Sequence, residues 1–138
     1  MHCNRISTDF ISDSLELMQD IKDVLLRLQQ SPTDTTIANT IPSTTQAIKI
    51  MTNFYGCKHV VAFLSVFEDV LSRVRDAELR PKASLIALLL ICCDHVSTMV
   101  SQLANRDEIY RWHLNRSHGL IRQLSAYHGN KVEYATAA

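Results

Sequence analysis

Glycine and proline are scarce in this chain of 138 residues, with 3 of each. That is too little punctuation for hairpins, a sandwich or a glycine-rich phosphate loop, so an all-α domain is expected. An excess of one charge is also missing: Lys plus Arg and Asp plus Glu each number 14, which leaves a net charge of zero. The balance argues against a broad nucleic-acid footprint and against strong attraction to a membrane surface. The longest apolar run, from Ala83 to Cys93, stops at Asp94. It falls well short of the roughly 20 residues that cross a bilayer and reads as a core helix. The opening MHCNRISTDF holds no apolar signal stretch, so the cytoplasm is the expected compartment. Cys3, Cys57, Cys92 and Cys93 make no C-x-x-C pattern and read as buried or idle thiols, not a disulfide framework. With 46% hydrophobic residues, the chain can bury one ordinary core without metal or disulfides. A single domain over 1–138 is expected, with flexible ends over 1–7 and 130–138.

Five helices follow from hydrophobic spacing. Phe10, Leu17, Ile21, Val24, Leu25 and Leu28 recur with Asp13, Glu16, Asp20 and Asp23 between them, which predicts an amphipathic helix from Thr8 to Gln30. Ser31 and Pro32 then read as N-cap and first residue of a second helix running to Gly56, with a kink or restart near Asn39 to Ile41 forced by Pro42. Val60, Leu64, Phe67, Leu71 and Val74 share one face of a third helix from Lys58 to Leu79. A fourth, from Lys82 to Ala104, is apolar nearly all round in its first half and belongs at the centre. Asn105 reads as the cap of a fifth, carrying Ile109, Trp112, Leu120, Leu124 and Tyr127 inward and stopping at Gly129-Asn130. Short connections imply antiparallel neighbours, hence an up-and-down bundle of four helices with a fifth, C-terminal helix packed on it.

Other chemistry is thinly represented. Cys92 and His95 stand three apart, the one ligand-like helical spacing, but two candidates do not make a zinc site, and neither a metal nor a cofactor is expected. Arg106, Arg111, Arg116 and Arg122, with His113 and His118, fall at spacings that spread them around the fifth helix, as on a solvated face and not a nucleic-acid stripe.

A family resemblance emerges from Gln46-Ala47-Ile48-Lys49, from Phe54-Tyr55-Gly56, and from Val66-Phe67-Glu68-Asp69-Val70-Leu71. The chain resembles the histidine phosphotransfer (HPt) domain at the N-terminus of CheA-type chemotaxis kinases. That family carries His-Ser-Ile-Lys-Gly-Gly-Ala-Gly-x-Phe-Gly on its second helix. Ile48, Lys49 and Gly56 match it, Tyr55 stands for the aromatic, and the register holds without a gap. Ser14-Leu15-Glu16-Leu17 has its counterpart in the family's Ser-x-Glu-Leu on the first helix.

The resemblance implies an HPt-type bundle that docks a response-regulator receiver domain or a chemosensory histidine kinase. It also locates a departure, because Gln46 occupies the position of the phospho-acceptor histidine. An imidazole offers a free nitrogen lone pair, whereas the amide lone pair of Gln46 is delocalised into its carbonyl, so phosphorelay chemistry is expected to be absent. Ile50, Met51 and Asn53 replace the glycines that allow close approach. Lys49, which the resemblance associates with phosphoryl charge, and Glu68, which it associates with the acceptor side chain, are retained, and Ser65 stands where chemotaxis kinases have a second histidine. The expected docking surface is Gln46, Lys49, Ile50, Asn53 and Glu68. Two other expectations stay open: phosphotransfer through a non-standard residue such as His59, and a structural or assembly bundle, for instance a homodimer.

Overall fold

The computed structural model describes residues 8–32, 41–54, 58–105 and 111–129. They form five helices: α1 (Thr8–Gln30), α2 (Ile41–Phe54), α3 (Lys58–Arg75), α4 (Ala83–Asn105) and α5 (Arg111–Gly129). No strand occurs among the described residues. The fold is the expected all-α bundle of four helices with a fifth at the C-terminal end. α1 packs chiefly on α4, α2 on α3, and α5 on α3.

The core follows the spacing read from the sequence. Phe63, Phe67, Leu64 and Leu71 of α3 are fully buried or nearly so, together with Leu85, Leu89, Val96 and Val100 of α4, Met18, Leu25 and Leu28 of α1, and Ile48 of α2. Phe63 and Phe67 stack with centroids 6.4 Å apart. From Ala83 to Gln102, α4 is long and apolar enough by composition to cross a membrane, a longer stretch than the run ending at Cys93 suggested. Over half of it is buried inside the bundle, as a core helix requires.

Three helix limits differ from expectation. Ser31 is not seen to start a helix: its N–H donates to Arg27 O at 2.9 Å, extending the last turn of α1, and the helix described next begins at Ile41, with Pro42 in its first turn, where the missing N–H costs nothing. The expected segment over 33–40 lies outside the described residues, as does the stop at Gly56. α3 ends at Arg75 and not Leu79, because Glu78 N–H donates to Arg73 O and Ala77 N–H to Val74 O, the paired bonds of a Schellman stop. Ala77 takes the left-handed position with φ of 62°. Leu79 then folds back into the core, 2% exposed. Asn105 is the last residue of α4 and not the cap of α5, which begins at Arg111. The expected inward positions of Ile109 and Trp112 lie outside the described side chains, while Leu120 and Leu124 are buried and Tyr127 packs partly against the core.

Candidate functional site

Helical spacing sets two stripes side by side on α2, the inner one next to its buried anchor, Ile48, and the outer one turned further away. Gln46, Ile50 and Asn53 stand at i, i+4 and i+7, and all three side chains are exposed, Ile50 at 60%. Thr45 and Lys49, also one turn apart, face α3. There they meet Glu68: Lys49 Nζ donates to Glu68 Oε1 at 2.8 Å, and Thr45 Oγ1 donates to Oε2 at 3.2 Å. Thr45 is fully buried, and the Lys49 and Glu68 side chains are only 22% and 18% exposed.

The arrangement refines the expected cluster. Lys49 and Glu68 do meet, and their burial sets them apart from a freely solvated surface pair. Glu68 takes its two hydrogen bonds here from Thr45 and Lys49, and Gln46 projects from the outer stripe instead. Ser65 is not part of the cluster: it is exposed, and its hydroxyl donates to Val61 O at 2.9 Å, one turn back on its own helix. Thr45 is the residue that sequence reading missed. Its signal was its spacing, four before Lys49 and three before Ile48, which puts a hydroxyl on the inward edge of the stripe.

What this geometry can do chemically is limited by its donors. Lys49 is neutralised by Glu68, Thr45 is sealed from solvent, and the exposed stripe carries two amides and an isoleucine, none of them a nucleophile. The outer stripe therefore offers recognition: amide donors and acceptors around one apolar side chain. His59, exposed in the first turn of α3, is outside the cluster. Cys92 and Cys93 are buried free thiols. Burial pushes Cys92 up to about 12 and raises Cys93 further, so both are held protonated. Among the described residues no three His, Cys, Asp or Glu side chains gather as metal ligands, and His95 points to Ser117 at 2.7 Å. Arg116, His118 and Arg122 are exposed on α5.

Comparison with known proteins agrees with the fold. The chain is 30% identical to the chemotaxis protein CheA of Listeria monocytogenes over 94 residues, 68% of this chain. To CheA of Bacillus subtilis it is 26% identical over 103 residues, 75% of this chain. In structure it superposes with a TM-score of 0.74 on the phosphorylated P1 domain of CheA3 from R. sphaeroides, solved in complex with CheY6, covering 85% of this chain and 90% of that one at 20% identity. The chain is a homologue of the CheA P1 domain. It spans only 15% of the length of these CheA relatives. No family profile matches it. In this P1 homologue the α2–α3 packing brings Lys49 and Glu68 together, and glutamine stands at position 46.

Proposed function

We propose that this P1 homologue is a non-phosphorylatable HPt-like module that works by occupancy, docking a receiver domain or a chemosensory kinase through the exposed stripe of α2. The observation that carries this reading is the side chain at position 46. It is exposed where a partner would reach it, but it is an amide with no free nitrogen lone pair. The relative solved with CheY6 supports the choice of a receiver as partner. The Thr45–Glu68–Lys49 cluster fits the same reading, since it fixes α2 on α3 and keeps the outer stripe in place. Binding, not transfer, is then the output.

The test compares wild type with Gln46→His in phosphotransfer from a phosphorylated receiver or partner kinase, with a direct binding measurement beside it. Unlabelled wild type that binds, together with acid-labile label on Gln46→His, is the expected result. Acid-labile label on wild type would instead establish transfer through another residue, with His59 first to be mapped. Absence of both binding and label, with self-association that buries Ile50, would favour an assembly bundle; the 60% exposure of Ile50 is what keeps that reading in view.

A further inference from the structure

Among the described residues three large apolar side chains are well exposed: Ile50 on the α2 stripe, and Leu26 of α1 and Ile91 of α4, at 44% and 42%. The last two belong to one surface. Lys22 Nζ lies 2.7 Å from Asp94 Oδ1 across the seam between α1 and α4. Leu26 stands one turn after Lys22, and Ile91 three residues before Asp94. The first and fourth helices of an up-and-down bundle run antiparallel, so both side chains come to the same level of the seam. Ala87, one turn before Ile91, is exposed as well.

The charges around this apolar pair are sorted by edge. Glu16, Asp20 and Asp23 of α1 are exposed, and each lies about 100° or more round the helix from Lys22, on the flank away from α4. The opposite edge belongs to α5, where Arg116 is exposed and lines a cleft of about 200 Å³ with Ile91, Asp94 and Thr98. That cleft sets Arg116 at the level of the Lys22–Asp94 pair. α1 and α5 flank α4 without packing on each other among the described residues. Across its width the face therefore runs from carboxylates, through Leu26 and Ile91, to a guanidinium.

We propose that this face is a self-association surface whose occupant is a second copy of this chain, related by a twofold axis parallel to the helices. Such an axis lays α1 of one copy over α4 and α5 of the other and keeps levels in register. Leu26 then meets Ile91 of the second copy, the carboxylates of Asp20 and Asp23 meet its Arg116, and each contact is made twice. An apolar centre with opposite charges at its rim is the usual build of an interface, the charges fixing orientation and partner. An axis across the helices would instead lay α1 on α1, carboxylates against carboxylates, and is disfavoured. α2 does not pack on α4 or α5 among the described residues, so the dimer leaves the stripe of Gln46, Ile50 and Asn53 open in both copies.

The experiment is sedimentation velocity of the full chain over about 5 to about 500 µM, at about 50 and about 500 mM salt. Wild type is expected to pass from monomer to dimer across that range, less readily at the higher salt. Ile91→Asp and Arg116→Glu are each expected to weaken association by about tenfold or more, and Ile50→Asp to leave it unchanged. A charge exchange tests the orientation. Arg116→Glu mixed with the double variant Asp20→Lys plus Asp23→Lys is expected to give a heterodimer, although neither protein associates alone. All these side chains are exposed, and circular dichroism checks that each variant keeps its helices. Association that survives Ile91→Asp, association lost in Ile50→Asp, or exchanged variants that fail to pair would each overturn the proposal. A wild type that stays monomeric throughout would overturn it too, and would leave the face to a different protein.

Discussion

Glu68 illustrates how much one side chain can organise. Removing its carboxylate takes one hydrogen bond from the Lys49 ammonium, 22% exposed, and one from the fully buried Thr45 hydroxyl. Glu68→Ala is expected to lower stability by about 2 kcal/mol, more than a surface ion pair contributes, and chemical denaturation of the two proteins measures it. Ser14 presents the opposite case. Its Oγ is buried with no hydrogen-bond partner, so Ser14→Ala is expected to be neutral or to stabilise by about 1 kcal/mol in the same assay. The thiols give a third outcome at this scale. With Cys92 raised to about 12 by burial and Cys93 also pushed up, neither presents a thiolate near neutral pH, and mass spectrometry should find both alkylated only after unfolding.

At the scale of an element, the end of α3 carries a correctable strain. Ala77 occupies the left-handed position of the Schellman stop, where a Cβ crowds the neighbouring carbonyl and glycine is the usual occupant. Ala77→Gly is expected to raise stability by about 1 kcal/mol, visible as a higher denaturation midpoint with an unchanged slope. The same turn shows why sequence spacing placed the end of α3 four residues late. Leu79 continues the apolar pattern, and the chain does bury it, but through a reversal after Arg75 and not through another helical turn. Periodicity records which residues go inside; it does not record the backbone path that takes them there. In α2, Pro42, read as the cause of a kink or restart within a longer helix, lies in the first turn of the described helix, where a missing N–H is free.

For the whole molecule, electrostatics tie distant parts lightly. Lys22 and Asp94 are 72 residues apart and join α1 to α4 at 2.7 Å, a hydrogen bond that raises the Lys22 pKa above the ordinary lysine range. The sign follows: a raised folded-state value contributes stability that is present below the ordinary lysine range and fades as pH climbs through it, in alkaline solution only. Because Asp94 is 65% exposed, the pair is worth under about 1 kcal/mol, and Lys22→Ala should shift the thermal midpoint by no more than about 3 °C. The interior holds the bundle together, with buried apolar side chains drawn from all five helices.

By itself the sequence determined the helical class, the inward residues of α3 and most of those of α1, the central place of α4, and the amide at position 46, because apolar spacing and side-chain chemistry are properties of the chain read in order. It also determined that Lys49 and Glu68 were available. Only the tertiary structure decided that Thr45 completes their cluster, that Gln46 and Ser65 stand outside it, and that His95 closes on Ser117 and Phe63 instead of pairing with Cys92. Each of those contacts joins different helices or turns on the exact rotation of one helix against the next. That rotation is set by how buried side chains such as Ile48, Phe63 and Leu120 fill the core, and no local pattern in the chain encodes it.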